Sequence, residues 1–301
     1  MTQLDRADYE ALMDARLRAP KELRTALGSR QRRAVVRGDG NLLLVAADHT
    51  ARGMLAVGND PMAVADRYTL LDRLVTALSM PEVDGVLASA DILEELAYLG
   101  ALNDRLAIGT MNRGGIIGAD WELDDRLTAY DSDHVEEFGL DGGKLLLRIE
   151  DTDAGVASTI EMAATIVTEL SDRGIMCLVE PLPYLKDAAG RARLDTSLDK
   201  LVKVVAVASG LGSSSAYTWL KLPAVAEMDV VAGATSMPIL MLGGDPGQNA
   251  PAVFDLWRKA MVQPNVRGLV AGRALLYPQD ADVRSAVRSA SAFVHPEGDR
   301  S

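Results

Sequence analysis

Short apolar runs of five to seven residues alternate along most of the chain with longer stretches that carry apolar residues at helical spacing. Runs of this length suit buried strands, and the stretches between them suit helices that pack on those strands. The apolar runs lie at residues 42–48, 83–89, 106–111, 143–149, 175–180, 216–221, 239–243 and 268–272. The clearest helical patterns lie at residues 62–78, 157–173, 197–208, 250–261 and 281–293. Because parallel strands need a crossover to return the chain, this alternation predicts repeated βαβ units and a parallel sheet.

Eight strand-and-helix units in about 260 residues match a (β/α)8 barrel, or TIM barrel, in number and length. A doubly wound open sheet is the alternative. The segment after the first run, Asp48-His49-Thr50-Ala51-Arg52-Gly53, lacks the Gly-x-Gly-x-x-Gly turn of dinucleotide-binding folds. We therefore predict an α/β fold with one (β/α)8 barrel over residues 41–294, and we expect neither NAD nor FAD as a cofactor.

Both ends of the chain depart from the barrel pattern. Residues 1–40 carry a helical pattern over residues 6–18 and a predicted hairpin turn at Gly38-Asp39-Gly40. We expect them to form a helical and hairpin extension that closes the barrel. Residues 295–301 are polar and include a proline, so we expect a flexible tail.

The charge balance limits the partners of the protein. A formal net charge of -12 argues against a nucleic-acid surface, and an anionic substrate would need a locally basic pocket. Five arginines nevertheless cluster near the start of the chain. We interpret them as a solvated face, with a partner surface as the alternative. They are Arg24, Arg30, Arg32, Arg33 and Arg37.

The cysteine and histidine content argues against disulfides and metal sites. Cys177 is the single cysteine, which excludes intramolecular disulfides and Cys-rich zinc sites and fits a reducing cytoplasm. His49, His134 and His295 are far apart and lack the spacing of metal ligands. The start of the chain has no apolar signal core, and no apolar run approaches the roughly 20 residues that span a membrane. We expect a cytoplasmic protein without membrane contact, metal or cofactor.

Lys221 lies in a β-prone run, Tyr217-Thr-Trp-Leu-Lys-Leu-Pro223, where a flexible cation has no obvious structural task. Strand alternation places Tyr217, Trp219 and Lys221 on one face and Thr218 with its apolar neighbours on the other. The amine would then point inward. Enclosure disfavours an ammonium, so a useful fraction of neutral amine is expected near pH 7, and a neutral amine can attack a carbonyl carbon. The run therefore predicts Schiff-base chemistry.

Other ionisable residues fall at the inward-facing positions of three further strands. Lys144 and Arg148 share one face of the fourth strand, Asp48 ends the inner row of the first, and Glu180 ends that of the fifth. Each has a structural interpretation, since Asp48 could cap a turn and Glu180 could pair with a barrel lysine. Burying several charges together is costly unless they serve a charged ligand or proton transfer. We therefore predict that Asp48, Lys144, Glu180 and Lys221 form a catalytic site.

Glycines follow the last two strands in the pattern of a phosphate site. Gly243 and Gly244 follow the seventh barrel strand, and Gly272 and Arg273 follow the eighth. In barrels of this kind the loops after strands seven and eight often bind phosphate, because glycine lets backbone N–H groups approach the anion. Arg273 would add a charge-assisted contact. Ordinary turns are the alternative for either glycine pair alone.

With these residues in these places, the chain resembles the class I, Schiff-base aldolases of the (β/α)8 type. The branch is that of the tagatose-bisphosphate, sulfofructose-phosphate and DhnA-like fructose-bisphosphate aldolases, and the resemblance spans about residues 40–280. It rests on Ala47-Asp48-His49, Gly143-Lys144-Leu145-Leu146, Leu178-Val179-Glu180-Pro181, Lys221 and the two glycine turns. It implies that Lys221 forms the imine, that Glu180 moves protons, and that Lys144 and Asp48 assist. It also implies a homo-oligomer and a phosphorylated sugar as substrate.

Some positions depart from that branch. The usual Asp-His-Gly is here Asp48-His49-Thr50, and Asn112, Arg113 and Arg148 have no counterpart in the bisphosphate-cleaving members. We predict that Asn112, Arg113 and Arg148 bind a carboxylate or second phosphate of the substrate. Pairing of the arginines with loop acids such as Glu150 or Asp151 is the alternative.

The chain is also similar to an actinobacterial group of barrels linked to inositol catabolism. That similarity implies cleavage of 2-deoxy-5-keto-gluconate 6-phosphate to dihydroxyacetone phosphate and an aldehyde. The alternatives are an aldolase for fructose, tagatose or sulfofructose phosphates, a lysine-dependent acyl or aldol transferase, and a non-catalytic sugar-phosphate sensor.

Overall fold

The computed structural model describes residues 2–112, 115–244, 250–279 and 282–296. Eight parallel strands form a closed barrel, because β9 pairs with β1 and β4 pairs with β5. The barrel strands are β1 (Leu42–Ala47), β2 (Gly85–Ala88), β3 (Leu106–Thr110), β4 (Gly142–Ile149), β5 (Met176–Lys186), β7 (Thr218–Pro223), β8 (Ile239–Leu242) and β9 (Val266–Ala271). The short β6 (Ala192–Leu194) pairs antiparallel with the end of β5. The predicted (β/α)8 barrel is confirmed.

Eleven helices are present in the described part of the chain, and most pack around the barrel. The N-terminal pair is α1 (Arg6–Arg18) and α2 (Pro20–Ser29). The others are α3 (Arg67–Leu78), α4 (Ala90–Tyr98), α5 (Ser132–Glu137), α6 (Val156–Asp172), α7 (Leu198–Ser209), α8 (Met228–Gly233), α9 (Ala250–Ala260), α10 (Arg273–Leu276) and α11 (Val283–Val294). Aspartates cap several of them: Asp5, Asp66, Asp131 and Asp282 each accept a backbone N–H of the first turn. None of the helices in these ranges has the length and apolar character that crossing a membrane requires.

Strand alternation divides the apolar residues into two layers. Leu145, Leu147 and Ile149 of β4 pack in the large cluster between strands and helices. The barrel interior is a second, smaller cluster, to which β1, β2, β3, β5, β8 and β9 all contribute, with Leu44 and Leu178 among its members. The predicted strand faces are therefore confirmed, and the inner rows place any polar residue at a strand end directly over an apolar floor.

The N-terminal extension covers the barrel at the amino ends of its strands. Arg30 and Arg33 form buried ion pairs with Asp141 and Asp84, which immediately precede β4 and β2. Val35, between them and β1, packs against the interior cluster. The extension thus fills the end of the barrel that lies opposite the carboxyl ends of the strands.

Two predictions for this region are wrong. The segment between α2 and β1 contains a turn closed by the Gly40 N–H and the Arg37 carbonyl, but no strands, so there is no hairpin. The five arginines do not form a solvated face as a group, because Arg30 and Arg33 are buried by their carboxylate partners. Arg24, Arg32 and Arg37 remain about half exposed, and each also pairs with a carboxylate.

His295 ties the end of α11 to the same face of the barrel. Its Nδ1 lies 2.8 Å from Oδ2 of Asp39 and its Nε2 lies 3.1 Å from Oδ2 of Asp84, which also binds Arg33. His295 therefore does not belong to a flexible tail. Pro296 is the last described residue, and residues 297–301 lie outside the described part of the chain.

We expect His295→Gln to lower the free energy of unfolding at pH 6 by about 2 kcal/mol, the scale of a hydrogen bond to a charged group. Burial lowers the pKa of His295, but hydrogen bonds to Asp84 and Asp39 outweigh it and leave the pKa raised. A raised folded pKa gives stability that is complete below the unfolded pKa of about 6.5 and is lost as the pH rises through the folded value. Urea unfolding between pH 6 and pH 9 would show the difference shrinking.

The matched control is His134→Gln, because the side chain of His134 is 48% exposed. A destabilisation of His295→Gln that stays constant across this pH range would contradict the assigned ion pairs.

Candidate active site

Four charged side chains meet at the carboxyl ends of the barrel strands. Asp48 directly follows β1, Lys144 lies on β4, Glu180 on β5 and Lys221 on β7. All four are buried, with Asp48 and Lys144 at 0% exposure, Lys221 at 3% and Glu180 at 5%. The sequence-predicted catalytic residues are therefore brought together at the end of the barrel where enzymes of this fold place their active sites.

The Glu180 carboxylate bridges the two lysines. Lys221 Nζ donates a hydrogen bond of 2.9 Å to Glu180 Oε1, and Lys144 Nζ forms a close ion pair with Glu180 Oε2. Lys144 Nζ also donates to Asp48 Oδ2 at 3.4 Å. The four groups thus form a row of alternating charge, Asp48–Lys144–Glu180–Lys221, which offsets part of the cost of burying them.

Such a row is chemically useful because one carboxylate contacts both amines. Glu180 lies within hydrogen-bonding distance of Lys221 and can take a proton from it, which leaves a nucleophilic amine. Lys144 places a second positive charge beside the same carboxylate. The layer below is apolar, with Leu178 and Leu240 in the interior cluster, and Trp219, the inward residue before Lys221, packs against it. In such surroundings charge interactions are stronger than in water.

The neighbouring strand ends approach one another closely at the glycines predicted to bind phosphate. A Cβ on Gly243 would lie 2.9 Å from Cα of Ala271, and one on Gly272 would lie 2.5 Å from the carbonyl oxygen of Ala46. Gly244 has φ +59, in the left-handed region that favours glycine. Both glycine turns therefore lie at the mouth of the barrel.

Arg273 begins α10 at the same end of the barrel. It is 9% exposed, and its Nη1 donates to the carbonyl oxygen of Ala56, between β1 and α3. Residues 245–249, which follow Gly244, lie outside the described part of the chain. The phosphate site stays a prediction.

Arg148 forms an ion pair with a carboxylate of the connection between β3 and α5. The residue is fully buried, and its Nε and Nη2 bind the Asp125 carboxylate at 3.0 and 2.6 Å. Its Nη2 also contacts the carbonyl oxygen of Glu122. The guanidinium carbon of Arg148 lies 5.5 Å from the centre of the Tyr184 ring. Arg148 therefore holds the connection between β3 and α5. The alternative of pairing with a loop acid is the one observed, with Asp125 in place of Glu150, which accepts from Thr152. Substrate binding by Arg148 stays a prediction.

Asn112 is likewise occupied by the backbone. Its Nδ2 donates to the carbonyl oxygens of Asp125 and Leu146, and its Oδ1 accepts the N–H of Leu146. Both amide hydrogens are used, so Asn112 holds the β3–α5 connection against β4, and its role as a substrate ligand stays a prediction. The third predicted ligand, Arg113, lies outside the described residues.

Sequence reasoning missed two polar residues at this end of the barrel. Arg52 is buried after β1, where its Nε donates to the carbonyl oxygen of Gly115. Thr110 ends β3 as the cross-strand neighbour of Lys144. The signal for Thr110 was present, because it continues the inward row of Leu106 and Ile108. For Arg52, no periodic pattern covers the loop in which it lies.

A cleft of about 820 Å³ lies between residues 117–126 and the arm formed by the end of β5 with β6. Trp121, Tyr184, Lys186 and Arg193 are among the side chains that line it. The four charged residues are not among its described lining residues. Within the described ranges, no group of three or more His, Cys, Asp or Glu side chains is arranged to hold a metal ion.

Comparison with known proteins relates the chain to one family and one fold. The Cgl0159-like family model matches residues 40–291. The crystal structure of Cgl0159 from Corynebacterium glutamicum is 44% identical, with 97% of this chain and 98% of that chain covered and a TM-score of 0.94. None of the curated proteins searched matches this chain.

Two aldolase structures show the same fold at low identity. An archaeal fructose-1,6-bisphosphate aldolase with its catalytic lysine bound to the carbinolamine intermediate is 18% identical, covers 84% of this chain and 92% of its own, and has a TM-score of 0.60. The fructose-bisphosphate aldolase of Slackia heliotrinireducens is 15% identical, covers 93% and 86%, and has a TM-score of 0.61. At these identities the likeness concerns the barrel alone.

Proposed function

The chain belongs to the Cgl0159-like family, and we propose that it is a class I, metal-independent aldehyde-lyase that cleaves a ketose phosphate through an imine on Lys221. The observation that carries this proposal is the Glu180 carboxylate, which contacts both Lys221 and Lys144 in a buried barrel mouth. An amine beside a proton acceptor in a poorly solvated site is what imine formation needs. The shared barrel of the Schiff-base aldolase agrees with it.

In this mechanism Glu180 takes a proton from Lys221, and the neutral amine attacks the ketone carbon. Glu180 gives that proton to the alkoxide oxygen, takes a second proton from the carbinolamine nitrogen and passes it to the carbinolamine hydroxyl. The hydroxyl leaves as water, and the nitrogen lone pair forms the protonated imine. A base then removes the proton of the hydroxyl on the carbon that becomes the aldehyde. The carbon–carbon bond breaks, its electron pair enters the iminium, and the aldehyde leaves. Protonation of the enamine carbon and addition of water release dihydroxyacetone phosphate and regenerate the amine.

The other two members of the row support these steps. Lys144 places a positive charge beside the Glu180 carboxylate that moves these protons, and we propose that it also contacts a substrate hydroxyl. Asp48 holds Lys144 through the 3.4 Å contact. The turns at Gly243-Gly244 and Gly272-Arg273 would hold the phosphate while the aldehyde product leaves, since backbone N–H groups and a guanidinium suit a phosphate.

Substrate choice is the finer part of the proposal. We propose that Asn112, Arg113 and Arg148, of which Arg148 also binds Asp125, hold the carboxylate of an acid sugar. We propose 2-deoxy-5-keto-gluconate 6-phosphate as the substrate. Fructose, tagatose and sulfofructose phosphates are the alternatives. We also propose a homo-oligomer that works in the cytoplasm, as the resemblance implies.

Borohydride trapping tests the chemistry directly. We expect incubation with dihydroxyacetone phosphate and sodium borohydride to inactivate the enzyme and to leave a reduced glycerol-phosphate adduct, which peptide mass spectrometry should locate on Lys221. Activity should survive EDTA, because the imine replaces the metal of other aldolases. Absence of an adduct together with loss of activity in EDTA would reject the proposal.

A further inference from the structure

Thr110 occupies a position in the barrel mouth that the mechanism above does not use. It is the last residue of β3 and pairs across the strands with Lys144 of β4. Its inward direction follows from its neighbours along the strand: Ile108 packs in the interior cluster, whereas Met111 packs in the outer one. A Cβ on Gly109 would lie 2.6 Å from side-chain atoms of Leu140 and Tyr130, on the helix side. Thr110 therefore faces the same space as Lys144.

Among the described residues, none is a hydrogen-bond partner of the hydroxyl at this position. Thr110 is 1% exposed, and its Oγ1 makes no hydrogen bond to any other residue in the described part of the chain. By contrast, the hydroxyl of Ser89, which follows β2, donates a hydrogen bond of 2.5 Å to Asp91 Oδ1. A buried hydroxyl without a partner destabilises a fold, and valine has the same shape without that cost. The inner row of β3 is otherwise apolar, so folding alone does not explain a threonine here.

We propose that the Thr110 hydroxyl determines specificity by hydrogen-bonding a hydroxyl of the ketose substrate that lies against Lys144. This inference rests on the proposed function. A threonine hydroxyl both donates and accepts, which suits a sugar hydroxyl and cannot neutralise a phosphate or carboxylate. A substrate analogue without the matching hydroxyl would leave the buried Thr110 hydroxyl without a hydrogen bond. Such an analogue should therefore bind more weakly than the substrate.

Two substitutions separate this role from a structural one. Thr110→Val removes the hydroxyl and keeps the shape, whereas Thr110→Ser keeps the hydroxyl and removes a methyl group. We expect Thr110→Val to unfold at an equal or higher urea concentration than the wild type. We also expect it to need about tenfold more ligand for half-maximal borohydride inactivation, a difference of about 1.4 kcal/mol. Thr110→Ser should stay within about threefold of the wild type in that assay, since its hydroxyl remains.

The two ligands for the assay are dihydroxyacetone phosphate and fructose 1,6-bisphosphate. The tenfold higher ligand requirement of Thr110→Val is expected for at least one of them. If the wild type is labelled and Thr110→Val responds like it to both ligands, the inference about Thr110 is overturned while the imine mechanism stands. If Thr110→Val unfolds at a clearly lower urea concentration, the hydroxyl has a structural partner and the inference is equally overturned. If neither ligand labels the wild type, the imine mechanism and the role of Thr110 are rejected together.

Discussion

Replacing Lys221 with alanine is expected to lower the rate of dihydroxyacetone phosphate release by roughly 10⁴-fold or more and to abolish the borohydride adduct. The reason is that the protonated imine on Lys221 accepts the electron pair of the broken carbon–carbon bond. No other group in the charged row can replace the Lys221 amine. Lys144 is held between Asp48 and Glu180. Lys221→Met should give the same result, because it keeps the apolar stem and removes only the amine. A coupled assay for dihydroxyacetone phosphate and peptide mass spectrometry would measure both effects.

The controls test whether Lys221, and not another lysine, is the nucleophile. Lys200→Ala removes a partly exposed lysine that pairs with Asp151 and should keep wild-type turnover and labelling. Lys144→Met should slow the reaction and still carry the adduct on Lys221. Normal turnover of Lys221→Ala, or an adduct that maps to Lys144, would eliminate the role assigned to Lys221.

The sequence predicted the barrel well because strand alternation has a fixed period of two. Once Leu145, Leu147 and Ile149 are recognised as the helix-facing row of β4, Lys144 must point inward, and the structure confirms that face. The same reasoning placed Glu180 at the end of an inner row. Periodicity therefore located the charged row without knowledge of any contact, since it needed only the face of each strand and the end at which it lies.

Strand ends are harder to predict where the chain is not periodic. We expected β5 to end at residue 180, where the apolar run ends. The strand instead continues to Lys186, since β7 pairs with β5 only as far as Val179 and the two prolines of β5 lie beyond that pairing. The end of β5 then pairs with β6, which starts only at Ala192 and was not predicted.

The partners of inward arginines were equally hard to predict. Strand alternation correctly predicted that Arg148 faces the barrel mouth. Its carboxylate partner, Asp125, lies in an irregular connection, and no periodic pattern predicts the path of that connection. The nearby acid Asp151, which the sequence offered as an alternative, pairs with Lys200 and Lys203 on the surface. Facing the site and binding a ligand are therefore separate properties, and only the first follows from strand register.

Glu180→Gln is expected to lower turnover by roughly 10²- to 10⁴-fold, the range that a positioned acid and base contributes. Glutamine keeps the size of the side chain and cannot take the proton of Lys221. The adduct should therefore still form on Lys221, but more slowly, which separates proton transfer from nucleophilic attack. Stopped-time borohydride trapping and turnover between pH 5 and pH 9 would measure these effects.

Loss of Glu180 also lowers the stability of the fold. The control must therefore separate lost proton transfer from lost stability. Both lysines lose their shared counter-charge, and breaking a buried ion pair from one side costs about 3–5 kcal/mol. Glu150→Gln removes another buried carboxylate, one that accepts from Thr152 outside the charged row, and should leave turnover unchanged. Urea unfolding of both variants would show whether Glu180→Gln stays folded under assay conditions. Wild-type turnover in a folded Glu180→Gln would mean that another group moves the protons, because the bridge between Lys221 and Lys144 would then be structural.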